Sequence, residues 1–159
     1  MSPRIKQLIL GSGVGASALA YALTLELEGG HVLDAYYDSV GVATICAGKT
    51  EKVKIGDKET LLSCQIWLEA QTEDNLRVVD KWITTPLPPL TKAVAASFVH
   101  NIGEPKFKTS TFVKKANKND LVGMCNELPR WVYAKKKKLD GLVNRRNVEK
   151  ELCFLGIGK

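Results

Sequence analysis

The Gly29-Gly30 pair limits what this chain can fold into more than any other feature of it. An apolar stretch leads up to Glu28 and stops there, because glycine enters the left-handed conformation without a Cβ penalty and so ends helices. Beyond the pair the residue types change: Tyr36, Tyr37, Val40, Val42, Thr44 and Ile45 are β-formers, with Asp38-Ser39 and Gly41 as turn residues between them. The spacing predicts a helix followed by a short hairpin. Two acids, Glu28 and Asp38, then sit on separate elements across a turn. That arrangement suits acid/base hydrolysis, in which one carboxyl gives a proton and the other handles water. On spacing alone, such a pair is more often a set of solvated surface groups.

The motif around these acids is more specific. It reads Glu28-Gly29, then Ala35-Tyr36-Tyr37-Asp38, then residues 40–50 as VGVATICAGKT. This resembles the active-site hairpin of the phage-type lysozymes, glycoside hydrolase family 24, and is most similar to the endolysins of lambdoid phages. Two departures stand out: the glycine pair adds one residue between the acids, and Lys49 replaces the family's histidine. A second signature, S-F-x-x-N-x-G-x-x-x-F-x-x-S-T, is matched by Phe98, Asn101, Gly103, Phe107, Ser110 and Thr111. Trp131 followed by Gly141-Leu142 and Arg145-Arg146 matches a third. The resemblance runs from about residue 26 to 156.

The resemblance implies an α+β, mainly α, lysozyme-like fold with a small β-hairpin lobe, a long connecting helix and a helical C-terminal lobe. It implies hydrolysis of the N-acetylmuramic acid–N-acetylglucosamine β-1,4 bond of peptidoglycan, causing host lysis. Glu28 is then the general acid, Asp38 the general base or electrostatic partner, and Thr44 the residue that positions the attacking water. Asn101, Gly103, Ser110, Thr111, Trp131 and Arg145 become substrate-binding candidates, with an arginine paired to Glu28. Asn101-Gly103 equally suits a plain helix C-cap, and Thr109 or Ser110 equally suits an N-cap.

The 159 residues, 45% hydrophobic and 25% charged, fit one globular domain. A net charge of +6 favours polyanionic partners, a bacterial envelope among them. The rival reading is a non-catalytic, basic module that binds cell wall or nucleic acid. Basic and aromatic positions do not interleave on one face, which counts against nucleic acid. No CxxC pair occurs and the histidines are only His31 and His100, so no metal or cofactor is expected. Four cysteines allow two disulfides in three connectivities, or four buried thiols. The resembling fold implies Cys46–Cys64 and Cys125–Cys153.

Arg4 and Lys6 precede an uncharged run over residues 8–25, near the lower length limit for a membrane span and rich in Gly, Ala and Ser. It reads as a cleaved signal peptide, as a core helix, or as a signal-arrest-release segment that inserts poorly and later leaves the bilayer. The third reading is preferred, because cleavage at Ala20 or Ala22 would leave Glu28 at a ragged terminus. Residues 1–27 are then the releasable segment and 28–159 the catalytic domain. The expected course is export of a phage-encoded monomer to the periplasmic face of the host inner membrane, then release to the periplasm.

Further on, residues 58–80 read as a long helix with Leu61, Leu62, Ile66, Leu68, Leu76 and Val79 in its apolar stripe. Pro86, Pro88 and Pro89 break the chain, a helix resumes over residues 90–102, and residues 135–138 form a four-lysine loop.

Overall fold

The computed structural model describes residues 13–159. Arg4, Lys6 and residues 8–12 of the expected anchor lie outside the described residues. The element order is α1 (Ala16–Leu27), β1 (Val32–Tyr37), β2 (Ala43–Cys46), α2 (Leu61–Trp82), α3 (Pro89–Ile102), α4 (Glu104–Phe107), α5 (Thr111–Ala116), α6 (Leu121–Glu127), a 3-10 turn (Leu128–Arg130), β3 (Tyr133–Ala134), β4 (Lys137–Lys138) and α7 (Asp140–Gly156). This is the mainly helical α+β architecture that the resemblance implied.

The first switch occurs where the glycines predict it. Gly29 and Gly30 have φ of 80° and 95°. Gly30 N–H bonds to Leu25 O at 2.8 Å and Gly29 N–H to Glu26 O at 3.0 Å, the paired bonds of a Schellman cap. The added glycine therefore closes the helix one residue after the acid. β1 and β2 then pair antiparallel, with Tyr36 opposite Thr44 and an irregularity between Val32 and Tyr36. The 57–59 segment lines the other edge of β1, through Ala35 N–H to Asp57 O and Glu59 N–H to Leu33 O. A small core of Ile45, Cys46 and Cys64, with Ala35, Val53 and Trp67 against it, holds this lobe together. The Cys46–Cys64 disulfide ties β2 to the first turn of α2.

α2 starts at Leu61 rather than residue 58, because the Thr60 hydroxyl accepts the Ser63 N–H and caps the helix there. Its apolar stripe is only half used. Leu68, Leu76 and Val79 are buried, while Leu61, Leu62 and Ile66 remain more than half exposed. On this side α2 meets the thin hairpin lobe, which cannot cover them.

The larger core is helical. Leu19, Ala20 and Leu23 of α1 pack with α3, buried continuously from Ala93 to Val99, with Phe107 and Phe112, and with Leu152 and Cys153 of α7. α3 can take this central place because Ala93, Ala95, Ala96 and Ser97 let neighbouring backbones approach closely. Cys125–Cys153 links α6 to α7. Residues 135–138, expected as a loop, instead form the turn and second strand of a hairpin with Tyr133–Ala134, and the tip residues Lys135 and Lys136 have positive φ. Among the described residues no helix is long and apolar enough to cross a membrane.

Candidate active site

Glu28 is the C-cap of α1, so the helix axis and the Schellman cap aim it at the junction between the lobes. Its Oε1 lies 2.5 Å from Nη1 of Arg145, which reaches it from α7 across 117 residues of sequence. Arg145 is almost fully buried and is itself held on three further atoms. Nε donates to Glu149 Oε1 at 3.2 Å, and Nη2 donates to the Ser97 carbonyl and hydroxyl at 3.3 and 3.2 Å. Ser97 Oγ in turn donates to Glu149 at 2.9 Å. Arg146 completes the set: it bonds Glu149, the Asn101 side chain and, at 3.1 Å, the Trp131 carbonyl, and it covers the Phe98 ring. Two arginines thus meet two glutamates in an almost dry interior, and their formal charges cancel. Buried ions are tolerated only when paired and fully hydrogen-bonded in this way.

The other side of Glu28 is built by the hairpin lobe. Ile45 and Lys49 exchange two backbone bonds of 2.9 Å around a three-residue turn. Cys46 and Gly48 in that turn have φ of 57° and 89°. A Cβ on Gly48 would come within 3.0 Å of Glu28 Oε2 and 3.1 Å of His100 Nε2. Glycine is thus required there twice, for its conformation and for the approach of the carboxylate.

Asp38 sits at the start of the hairpin loop. Its Oδ1 accepts from Val40 N–H at 3.0 Å and Val42 N–H at 2.8 Å, which fixes the loop and the carboxylate together. Oδ2 has no protein partner among the described residues. Tyr36 feels both acids: the pKa of its hydroxyl is raised by burial first, then by the negative charges of Glu28 and of Asp38. Thr44, directly opposite Tyr36, is buried and donates its hydroxyl to Val42 O at 3.0 Å. Lys135 crosses from the helical lobe and donates to Val40 O at 2.7 Å, so a second chain segment secures the loop that carries Asp38.

The remaining predicted residues divide. Arg145 meets Glu28, and Asn101 and the Trp131 backbone support the same arginine pair. Gly103 is the C-cap of α3, with φ 78°. The Ser110 hydroxyl accepts Val113 N–H at 3.2 Å and is buried, so it serves as the N-cap of α5, and Thr111 is the exposed first residue of that helix. Lys49, which replaces the family histidine, pairs with Glu59 at 3.1 Å within the hairpin lobe. Sequence reasoning missed Tyr36, Gly48, Ser97, His100 and Glu149. Glu149 had a visible signal, standing three and four residues after two arginines on one helical face. His100 had none, because it falls on an unspecified position of the second signature.

A two-lobed helical fold with one glutamate clamped between lobes, and an aspartate on the facing hairpin loop, defines a lysozyme-type glycoside hydrolase. The family model for phage lysozyme matches residues 26–149. A SAR-endolysin of Enterobacteria phage PA-2 is 34% identical over 98% of this chain and 99% of its own. Among solved structures, the endolysin from Escherichia coli O157:H7 phage FAHEc1 is 31% identical with a TM-score of 0.74, covering 84% of this chain and 89% of that one. The active form of P1 phage endolysin Lyz, 24% identical, shares the fold with a TM-score of 0.77 over 97% of this chain and 93% of that one. The chain belongs to the phage lysozyme family, and its activity is that of a phage endolysin, a muramidase.

Proposed function

We propose that Glu28, Asp38 and Thr44 carry out this hydrolysis, at the N-acetylmuramic acid–N-acetylglucosamine β-1,4 bond of peptidoglycan. Glu28 protonates the leaving glycosidic oxygen. Asp38, with Oδ1 spent on the loop, uses Oδ2 to stabilise positive charge at the anomeric carbon or to take a proton from water. The Thr44 hydroxyl already donates to Val42 O, so its oxygen accepts a hydrogen bond from the attacking water and orients it. The observation that carries this reading is the paired setting of the acids. Glu28 is clamped by Arg145 from the helical lobe, Asp38 is fixed on the hairpin loop, and Tyr36 feels both charges. Asn101, Gly103 and Trp131 are proposed to line the sugar-binding side. The test is digestion of purified peptidoglycan with product masses: reducing muramic acid ends are expected. Binding to the wall without any new ends would favour a non-catalytic wall-binding module.

Release from the inner membrane is proposed as the means of control. Residues 8–25 hold the exported chain at the periplasmic face, where Glu28 cannot meet Arg145. On release residues 16–25 of it pack within α1, whose C-cap delivers Glu28 to the site. Two points support this. Leu19, Ala20, Leu23 and Thr24 of α1 are buried in the core that α3 shares, and a relative spanning 98% of this chain carries the name SAR-endolysin. Gly15→Leu with Ala18→Leu tests it, because a Cβ at 15 meets nothing within 4 Å and Ala18 is exposed in the packed helix. Each leucine adds a few tenths of a kcal/mol to insertion. The double variant should stay in the membrane fraction and lyse late. Fractionation and lysis like the parent, or a periplasmic N-terminus beginning after Ala22, would rule the mechanism out.

A further inference from the structure

His100 lies on α3, buried among groups from four elements. Its Nε2 is 3.8 Å from Glu28 Oε1 at the end of α1. Its Nδ1 is 3.3 Å from the side-chain nitrogen of Asn75 on α2. The turn after β2 brings the Ala47 carbonyl to the ring as an acceptor and Gly48 against Nε2. Arg145 of α7 is the other charged neighbour, and Trp67 of α2 meets the ring edge-on at 6.2 Å.

The hydrogen bonds define the state of this ring. Asn75 Oδ1 accepts from Gln71 Nε2 at 3.4 Å, so the Asn75 amide nitrogen is the end turned to His100. With the amide nitrogen facing it, Nδ1 accepts, and the neutral ring then carries its proton on Nε2, on the Glu28 side. Burial keeps the ring below the ordinary histidine value of 6.5. The Glu28 charge and the Ala47 carbonyl oppose that shift, and Arg145 adds to it.

We propose that His100 is a positioning residue for Glu28: uncharged, with its proton on Nε2, it ties the Ala47–Gly48 turn and the Asn75 amide to the wall behind the acid, and leaves Arg145 as the one cation in hydrogen-bonding contact with that carboxylate among the described residues. The consequence is chemical as well as structural. A second cation at this distance would favour the carboxylate form of the acid, which has no proton for the leaving oxygen. The inference rests on Glu28 being the general acid.

Two readouts test it. The chain has only two histidines, so imidazole NMR with a His31→Gln variant for assignment isolates His100. The expected result is an Nε2–H tautomer that stays neutral at pH 6.5. An Nδ1–H tautomer, or a ring charged at that pH, would overturn the proposal. The second readout is the pH profile of kcat and KM on soluble glycan oligomers. A cation within ~4–6 Å shifts a carboxyl by roughly 1–3 units, so His100→Lys should move the alkaline limb down by about that much and lower kcat near neutrality, with KM little changed. His100→Gln, which keeps a neutral donor and acceptor, should keep the parent's limb. If His100→Lys does not fold, the imidazole NMR readout decides alone. A limb that stays in place in a folded His100→Lys refutes the proposal. Loss of the general-acid assignment would be visible separately, as retained activity in Glu28→Gln, while the NMR readout does not depend on catalysis.

Discussion

Arg145 and Glu28 are joined at 2.5 Å across 117 residues, and the same guanidinium is anchored on Glu149 and Ser97 behind it. The helix that ends in the acid and the helix that ends the domain are thus closed on each other by one buried side chain. Removing it leaves Glu28 without its cation, and leaves Glu149 to Arg146 and Ser97 alone. Arg145→Met is expected to cost about 3–5 kcal/mol of stability, the usual penalty for breaking one side of a buried pair. Urea unfolding measures this, and a loss under about 1 kcal/mol would show the network to be energetically idle.

Gly48→Ala separates site geometry from stability. The added methyl needs a left-handed backbone, costing about 1–2 kcal/mol, and it presses on Glu28 Oε2 and His100 Nε2 together. Hydrolysis should fall by at least about tenfold, since small misplacements of reacting groups cost up to ~10²-fold. Unfolding and turnover measured on one preparation decide it. Unchanged kcat would mean that the turn does not position the acid.

Stability should fall in two stages on acidification. His100 is held below 6.5 by burial, so between that value and its folded one the unfolded chain binds a proton that the native chain refuses. Its contribution is full above 6.5, declines as pH drops through this window, and is flat below it. His31, also lowered by burial, acts in the same direction. Glu127 is held below 4.5, first by its bond from Lys115, so its contribution is full above 4.5 and is lost only at lower pH. Urea midpoints across this range should show the upper stage shrink in His100→Gln while the lower stage stays.

Reduction should loosen the hairpin lobe first. Cys46–Cys64 closes an 18-residue separation, and a loop near that size is worth about 3 kcal/mol in the chain-entropy account. The core it serves is small, whereas Cys125–Cys153 crosses the large helical core. Amide exchange with and without reductant should show faster exchange in β1 and β2 before α6 and α7. The reverse order would contradict this.

Much of this architecture was legible because it depends on local chemistry. The glycine pair, the β-formers after it and the three prolines each act on their own stretch of chain. The start of α2 was legible too, in Thr60, whose hydroxyl can cap a helix that begins at Leu61. The exposure of Leu61, Leu62 and Ile66 was not legible: a periodic stripe states which face is apolar, not how much protein lies opposite. The same holds at the site. Glu28 and Asp38 lie close in the chain within one motif, and Arg145 entered through resemblance. His100 and Asn75 matter only through partners brought from other segments, and nothing in their own neighbourhoods announces it.

The central claim is that Glu28 supplies the proton to the leaving oxygen. Glu28→Gln keeps the size of the side chain and a hydrogen bond to Arg145 but has no proton to give. Measured on purified peptidoglycan beside the parent, the variant is expected to lose about 10²–10⁴-fold in turnover, with cooperative unfolding retained. Near-parental turnover in the folded variant would contradict the account.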